Sequence, residues 1–427
     1  MHAASVHQTE SVLLSILVQL IVMIGAARLM NSLFRRLNQP GVIGEIVAGL
    51  LLGPSLFGHF FPALSTAIFG LKSAQPITII SQIGLILLMF QIGSDFEFGH
   101  LGSKRNLRAA FSIAAVSILA PLGVGLGFGV VSAPHLAPGL NPTVYALFCA
   151  VAFAITAVPI LGRILRQYGL TRDEIGVIAI SAAAVNDVVG WVLLAIVSAF
   201  ASAQLSPQGI GVQIAGLVGL GLGAWWLLRP LADRLVKTFP VREGEVAPNL
   251  MAIIFALVFA LAICTNALGV FSIFGGFLAG LLFHRHAEFV DAWRRQVGQM
   301  VLVFFLPVFF TYTGLRTNVL GLTTAENWLW LAVILVGAIA AKIGPVYLTA
   351  RLNGFAPKPS ATLGVLMNTR ALMELIVLNI GYDLGFMPQS VFTMLVIMAV
   401  VTTVMAGPLL KQLLTAMNHP IPVGIEA

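Results

Sequence analysis

The chain has 427 residues, of which 59% are hydrophobic and only 9% are charged. Soluble domains carry about 25% charged residues, so this composition excludes a water-soluble globular protein and requires an outer surface that faces lipid. The formal net charge of +7 invites a role in binding nucleic acid. The basic residues are spread over many loops and form no cluster, which argues against a nucleic-acid partner.

Thirteen apolar segments, bounded by Pro, Gly or charged residues, have about the 20-residue length of a membrane-spanning helix. The first lies between Glu10 and Arg28, the reverse of a signal peptide's flanks, so we expect it to be retained. The sequence therefore predicts an all-α polytopic membrane protein with thirteen transmembrane helices. The predicted spans are residues 11–33, 41–58, 76–97, 107–132, 143–167, 174–202, 209–229, 248–267, 269–284, 298–315, 328–350, 360–383 and 389–412.

The basic residues provide a test of this count, because cytoplasmic loops of membrane proteins hold most of the Lys and Arg. If the N-terminus lies outside, most of the 23 basic residues fall in inward loops and in the tail. Only Lys72 and Arg316 then fall in outward loops, while Lys342 and Arg370 lie within spans. We therefore expect the N-terminus to lie outside and the C-terminus to be cytoplasmic. The membrane that we expect is a bacterial inner membrane.

Two similar octapeptides indicate an internal repeat. Residues 44–51 (GEIVAGLL) lie in the second span and residues 275–282 (GGFLAGLL) in the ninth. An offset of seven spans makes the two segments enter the membrane from opposite sides. Spans 1–6 and 8–13 are therefore predicted to form two inverted six-helix repeats joined by span 7, a common plan of secondary transporters.

Four charged residues are predicted to lie inside the membrane, where each costs at least about 2.5–3.5 kcal/mol. Asp187 lies halfway along span 6, and we interpret it as a binding site for an ion or a proton. Lys342 in span 11 is either a titrating partner or the counter-charge that holds Asp187 in place. Arg370 and Glu374 in span 12 lie one helical turn apart, so they either support the site or form a structural ion pair.

Two spans contain residues that favour a broken helix. In span 5, Pro159 lies two residues after Ala157 at mid-depth and removes one backbone hydrogen bond. Span 12 carries the polar residues Asn368 and Thr369 at the same depth. Unwound backbone inside a membrane is tolerated only where it lines a cavity or is buried in protein. Spans 5 and 12 are therefore predicted to be crossed broken helices that present oxygen atoms beside Asp187, which suits a hard monovalent cation.

Together these segments resemble the monovalent cation/proton antiporter superfamily, and in particular its Kef-like and plant cation/proton-exchanger branch, which has the sodium/hydrogen exchanger fold. The likeness covers about residues 11–412. It is carried by Asn186-Asp187, by TAVP at residues 156–159, by Lys342, by residues 275–282, and by NTR and ELIVLNIG at residues 368–370 and 374–381.

The resemblance implies a homodimer in which a core domain moves like an elevator against a dimerisation domain. The dimerisation domain would comprise residues 1–105 and 248–320, and the core ion-transport domain residues 106–205 and 326–415. Residues 206–247 would form a linker helix and cytoplasmic loop, and residues 416–427 a short cytoplasmic tail. The implied ion- and proton-binding residues are Asp187, Asn186 and Thr156, with Lys342, Arg370 and Glu374 as supporting charges and Ala157, Pro159, Asn368 and Thr369 at the helix breaks.

The sequence departs from this family pattern in two ways. Electrogenic members carry two consecutive aspartates where this chain has Asn186 and Asp187. This favours electroneutral exchange, although the presence of Lys342 leaves the stoichiometry open. The Kef-like potassium systems also carry a large cytosolic nucleotide-binding domain, whereas this chain ends shortly after the last predicted span. We therefore expect this mode of regulation to be absent or supplied by a separate regulatory subunit.

The function predicted by these features is secondary exchange of Na⁺ or K⁺ for H⁺, with no cofactor other than the transported cation and proton. A proton- or sodium-coupled carrier of an organic ion is an alternative, because Arg370 or Lys342 could bind a carboxylate. A channel would need a continuous polar lining, which the sequence does not indicate. An enzyme is not expected either, because no catalytic Ser-Lys, Ser-His or HExxH arrangement is present.

Overall fold

The computed structural model describes residues 2–37, 39–70, 74–95, 104–170, 173–202, 207–268 and 271–419, and this part of the chain contains helices but no β-strand. The α-helices are α1 (His2–Arg36), α2 (Gly41–Leu52), α3 (Phe57–Phe60), α4 (Pro62–Phe69), α5 (Ala74–Ser94), α6 (Lys104–Leu136), α7 (Pro142–Ala154), α8 (Val158–Gln167), α9 (Glu174–Ser202), α10 (Pro207–Gly223), α11 (Arg229–Thr238), α12 (Pro248–Ala267), α13 (Ile273–Leu281), α14 (Ala287–Trp293), α15 (Leu306–Leu315), α16 (Ala325–Leu352), α17 (Pro357–Met367), α18 (Leu372–Asp383) and α19 (Gln389–Ala416). Three π-helical segments, Ala224–Leu228, Arg294–Gly298 and Val301–Phe305, interrupt longer helical stretches.

Ten helical segments of the described residues are long and apolar enough to cross a membrane, or eleven if the bent pair Ala287–Gly298 and Val301–Leu315 counts as one span. Every predicted span contains helix, but two of them, the fifth and the ninth, contain among their described residues no helical segment long enough to cross a membrane. The fifth is divided into α7 and α8, of 13 and 10 residues, and the ninth forms only the nine-residue α13. The predicted number of thirteen therefore exceeds the number of single long helices.

The surface of these helices is apolar, as expected of an integral membrane protein. On α1, for example, Leu14 is 63% exposed, and Ile21 and Leu29 are each 71% exposed. Apolar surface of this extent is unstable in water and is satisfied by lipid. The described part of the chain is therefore that of an integral membrane protein.

The chain divides into two compact units. Unit 1 comprises Met1–Gly25, Ala63–Phe98 and Ala195–Tyr312, and unit 2 comprises Ala26–Pro62, Gly99–Leu194 and Thr313–Ala427. In unit 1, α5 packs against α13, where a Cβ atom at Gly276 or Gly280 would collide with the carbonyls of Ile86 or Phe90. All of the predicted site residues lie in unit 2.

Within unit 2, α6 and α7 approach each other closely through small residues. A Cβ atom at Gly129 would lie 2.5 Å from the Cα of Ala146, and one at Gly125 would lie 2.8 Å from the carbonyl oxygen of Cys149. Gly127, on the same helix, has no neighbouring atom within 4 Å of a built Cβ. Helices in membranes pack through such small residues because their backbones can then come together. This contact positions α7, which leads directly into the first break.

Candidate ion-binding site

The two broken helices meet at their breaks. The first break separates α7 from α8 at residues 155–157, and the second separates α17 from α18 at residues 368–371. The backbone N–H of Ala157 donates to the carbonyl of Thr369 (3.1 Å), and the hydroxyl of Thr156 donates to the carbonyl of Met367 (3.1 Å). Each break thus provides hydrogen-bond partners for backbone groups of the other break that have no partner within their own helix. Buried peptide groups require such partners.

The residues around the breaks leave the helical conformation. Ile155 is extended, with φ −72° and ψ 145°, and Ala371 has φ 157° and ψ −86°, so neither continues its helix. Ala157 lies in the first break, and Pro159 is the second residue of α8. The side chain of Pro159 lies outside the described part of the structure. Thr369 donates its hydroxyl to the carbonyl of Leu366 (2.8 Å), near the end of α17.

Asn186 on α9 braces the first break through both ends of its amide. Its Oδ1 accepts a hydrogen bond from the backbone N–H of Thr156 (3.1 Å). Its Nδ2 donates to the Ser117 hydroxyl (3.1 Å) and to the carbonyl of Ala154 (3.4 Å). A carboxylate could accept the first of these bonds but could not donate to Ala154, because an ionised carboxylate is acceptor-only. An amide therefore fits this position better than a second aspartate.

Lys342 on α16 is completely buried, and its ammonium group reaches the same end of α7. Its Nζ donates to the carbonyl of Ser117 (2.6 Å) and to the carbonyl of Ala154. Of the ion pairs formed by the described residues, none joins Lys342 to Asp187. A cation placed on the last carbonyls of a helix complements the negative end of the helix dipole. The contacts of Lys342 are therefore those of a cap on α7.

Asp187 is 4% exposed and lies next to Asn186 on α9. The backbone N–H of Val158, at the beginning of α8, lies close to its carboxylate. Its Oδ1 atom is buried and has no hydrogen-bond partner. Buried polar atoms are almost always paired, so an unpaired carboxylate oxygen at a helix N-terminus needs a proton, a cation or a water molecule.

The second break holds two further charges. Arg370 donates from Nη1 to the carbonyl of Ala152 (2.9 Å), and its backbone N–H donates to the Thr403 hydroxyl (3.1 Å). The Glu374 Oε2 atom lies 3.9 Å from Arg370 Nη1, at the outer limit of an ion pair. Arg370 lies in the unwound segment and only Glu374 in α18, so the pair does not share one continuous helix as the sequence pattern suggested.

Several polar atoms at the second break have no hydrogen-bond partner. They are Oδ1 of Asn368, Nε and Nη2 of Arg370, and both carboxylate oxygens of Glu374, all of them buried. Donors and acceptors left open side by side indicate a place where water or an ion binds. The structure thus brings the predicted residues of spans 5, 6, 11 and 12 together, and it leaves polar atoms without hydrogen-bond partners at Asp187 and at the second break.

Two residues of the site were missed from the sequence. Ser117 on α6 contacts both Asn186 and Lys342, and Thr403 on α19 exchanges two hydrogen bonds with the backbone of Arg370. Each is a small hydroxyl residue in an apolar span, and such residues commonly bond to their own helix. Only the fold distinguishes these two from the other hydroxyl residues of the spans.

Comparisons with known proteins agree with this architecture. The family described as sodium/hydrogen exchanger, transmembrane, matches residues 20–416. The Na(+)/H(+) antiporter NhaS4 of Synechocystis is 35% identical over 95% of this chain and 99% of its own length. Cation/H(+) antiporter 17 of Arabidopsis thaliana is 35% identical over 94% of this chain, and K(+)/H(+) antiporter 1 of Saccharomyces cerevisiae is 29% identical over 94%. The chain spans only 48% and 47% of the length of these two relatives.

A solved structure shares the fold. The sodium proton antiporter MjNhaP1 from Methanocaldococcus jannaschii superimposes with a TM-score of 0.62 over 93% of this chain and 96% of that one, at 17% sequence identity. The resemblance predicted from the sequence is thus confirmed, and the named relatives are transporters and not enzymes. The chain belongs to the sodium/hydrogen exchanger family.

Proposed function

We propose that this protein exchanges a monovalent cation, Na⁺ or K⁺, for H⁺ across the membrane, and that Asp187 binds the two in turn. The observation that carries the proposal is the buried Oδ1 of Asp187, which has no hydrogen-bond partner and lies next to Asn186, the residue that holds the first helix break. The names of the relatives support cation/proton exchange, and they include sodium, potassium and mixed exchangers. They do not choose between the two cations.

Oxygen atoms near the breaks supply candidate ligands for the cation. Asn368 Oδ1 is buried without a partner, like Asp187 Oδ1, and the Thr156 hydroxyl lies in the first break. Carboxylate, amide, hydroxyl and carbonyl oxygens are the ligands that hard cations prefer. Asn186 and Lys342 hold the end of α7 so that these oxygens keep their positions.

Coupling follows from the cost of moving a bare carboxylate through an apolar interface. Asp187 crosses readily only when a proton or a cation neutralises it, so each crossing carries one of the two. We further propose an elevator movement and electroneutral exchange. Support for the latter is that Asn186 is an amide, which cannot carry a second proton, and that Lys342 is bound to carbonyls instead of Asp187.

We also propose the complete membrane arrangement of thirteen spans in two inverted repeats, with α7 and α8 together as the fifth span and α13 in the ninth. The breaks in spans 5 and 12, which are repeat mates under a seven-span offset, support it. The N-terminus then lies outside and the C-terminus inside a bacterial inner membrane. The proposed homodimer is formed by residues 1–105 and 248–320, with residues 106–205 and 326–415 as the mobile core.

Proton flux in proteoliposomes tests the function. Purified protein is reconstituted with a pH-sensitive dye inside, and chloride salts of Na⁺, K⁺, Li⁺, Rb⁺ or choline are added at zero and at imposed voltage. We expect Na⁺ or K⁺ to drive proton flux that does not depend on voltage, and Asp187→Asn to abolish it. Asp291→Asn, which changes a 56% exposed carboxylate, is the matched control and should remain active. Full exchange by Asp187→Asn would refute the assignment.

A carrier of an organic anion is the second candidate, because Nε and Nη2 of the buried Arg370 have no hydrogen-bond partner and could bind a carboxylate. Glu374, 3.9 Å from Arg370, opposes the entry of an anion. The same vesicles distinguish the two functions. Proton flux driven by an organic anion and insensitive to Na⁺, K⁺ and Li⁺ would favour the carrier.

A further inference from the structure

Far along the chain from Asp187, a group of polar side chains joins the end of α15 to the end of α18. Arg316 follows α15, and its Nη2 lies 2.5 Å from Oδ1 of Asp383. Its Nη1 donates to Oδ1 of Asn379 (3.1 Å), and its guanidinium lies 5.2 Å from the centre of the Tyr382 ring. One arginine thus contacts three residues in the last two turns of α18.

These contacts are partly shielded from water. The side chains of Arg316 and Asp383 are 21% and 32% exposed, and Asn379 is 8% exposed. Asn379 also donates to the Thr313 hydroxyl (2.8 Å), so a second residue of the α15 end is attached to α18. Charge-assisted hydrogen bonds are about twice as strong as neutral ones, and partial burial protects them from screening by salt.

The segment after Arg316 is held by other helices as well. The N–H of Asn318 donates to the Thr393 hydroxyl of α19 (3.2 Å). Ser55, after α2, donates to the carbonyl of Thr317 (3.2 Å) and accepts from the N–H of Val319 (2.8 Å). The stretch from Arg316 to Val319 is therefore fixed between α2 on one side and α18 and α19 on the other.

The position of these contacts in the proposed transport cycle gives them a role. Arg316 and Thr313 fall within residues 248–320 of the proposed dimerisation domain, while Asn379 and Asp383 belong to the proposed core. All four lie in compact unit 2, as expected if these contacts hold the end of the one domain against the other. α18 also begins at the second break, so its 12 residues form one rod of about 18 Å between the contacts and the ion site. A movement of the core of more than a few ångströms would break every one of these side-chain bonds, which require 2.5–3.2 Å.

We propose that Thr313, Arg316, Asn379 and Asp383 form a latch that holds the core in one of its two orientations and must open each time the core moves. The latch rests on the proposed function, because it controls the elevator movement of that exchanger. Opening it is slow compared with the binding of cation or proton at Asp187. The latch therefore sets the maximal rate of exchange and leaves the affinity for the cation unchanged.

Reversible crosslinking tests the latch directly. Arg316→Cys and Asp383→Cys are combined in a Cys264→Ser background, because Cys264 is an exposed free thiol whereas Cys149 is buried. A short bis-methanethiosulfonate reagent joins the two thiols in proteoliposomes, and a reductant removes it. We expect crosslinking to reduce exchange more than tenfold and reduction to restore it. The control pair is Ser112→Cys with Asn353→Cys.

The control pair joins two residues of the core, since the Asn353 amide donates to the Ser112 hydroxyl at 3.0 Å. Crosslinking it should leave exchange unchanged, which separates locking from general damage by the reagent. Exchange that persists in the crosslinked Arg316–Asp383 pair overturns the latch alone. Absence of exchange in the unmodified protein overturns both the latch and the proposed function.

Substitution gives an independent measurement. Arg316→Gln and Asp383→Asn each remove the ion pair and should raise the maximal rate about threefold or more, with the KM for the cation unchanged. The charge swap, Arg316→Asp with Asp383→Arg, should return the rate toward that of the wild type. A maximal rate that is unchanged or lower in both single variants contradicts the latch.

Discussion

The contact between α6 and α7 gives the sharpest structural prediction, because one helix carries both the test position and its control. In Gly129→Ala, the new Cβ would lie 2.5 Å from the Cα of Ala146, whereas ordinary contacts begin at 3.4 Å. The neighbour is backbone, so α7 must move by about 0.9 Å, the difference between those two distances. In Gly127→Ala the Cβ enters open space.

The magnitude follows from two opposing terms. Overpacking of this kind lowers the free energy of unfolding by about 1–3 kcal/mol. Replacing Gly by Ala within a helix raises the free energy of unfolding by up to about 1 kcal/mol, because Ala has the higher helix propensity, and this increase is common to both variants. The difference between Gly129→Ala and Gly127→Ala therefore isolates the clash, at about 1–3 kcal/mol of stability. Because α7 carries the carbonyls that Lys342 and Arg370 bind, its displacement should also lower exchange.

The assay combines thermal unfolding of the purified variants in detergent with proton flux in proteoliposomes. We expect Gly129→Ala to melt at a lower temperature than the wild type and to exchange at least tenfold more slowly, since a displacement of about 1 Å in a site is costly. Gly127→Ala should match or exceed the stability of the wild type and retain its activity. Equal stability and activity of the two variants would refute the proposed role of this contact.

Three further predictions concern the site. Thr156→Val removes the hydrogen bond to the Met367 carbonyl and a candidate ligand of the cation, so it should raise the KM for the cation. Thr156→Ser keeps a hydroxyl and should restore the KM of the wild type. An unchanged KM in Thr156→Val would exclude the hydroxyl as a ligand. Lys342→Met removes two hydrogen bonds, each worth about 1.5–3 kcal/mol when charged, so it should lower thermal stability and leave the stoichiometry unchanged. The exposed Lys411→Met is its control, and a changed stoichiometry would show instead that Lys342 titrates. Lowering the pH on the side of cation binding should raise the KM for the cation without changing the maximal rate, because protons then occupy Asp187. A lower maximal rate at saturating cation would argue against competition between proton and cation.

Much of the fold could be predicted from the sequence, because membrane helices are specified by long apolar segments. The same property explains why the number of spans differed from the number of long helices. Hydropathy does not register that the fifth apolar segment is interrupted after Ala154 or that only nine residues of the ninth form α13. Both segments stay apolar through residues that are not helical, so composition alone cannot locate the ends.

The candidate site was predictable to the extent that charge in a membrane is costly. That cost singled out Asp187, Lys342, Arg370 and Glu374, and all four are buried in unit 2. Their partners were not predictable, because they are mostly backbone carbonyls, which every residue possesses. Lys342 on the carbonyl of Ala154 is the main example, since sequence reasoning considered only side chains as its partner.

The glycines of α6 show the same limit. Gly123, Gly125, Gly127 and Gly129 alternate in the sequence, and the pattern does not show which of them meet a neighbouring helix. Only Gly125 and Gly129, one turn apart, face α7, while a Cβ atom built on either of the other two would have no neighbouring atom within 4 Å. The helical period places these pairs on different faces, but which face meets a neighbour depends on the fold.

If one carboxylate, Asp187, is shared by the proton and the cation, then binding of the cation must release the proton, and this release can be measured on the purified protein. NaCl or KCl is added to protein in weakly buffered detergent solution, and the released protons are measured with a pH indicator against a choline chloride control. We predict cation-dependent release from the wild type and from Asp291→Asn, and none from Asp187→Asn. Equal release by Asp187→Asn, or no release from an exchange-competent wild type, would contradict the shared site.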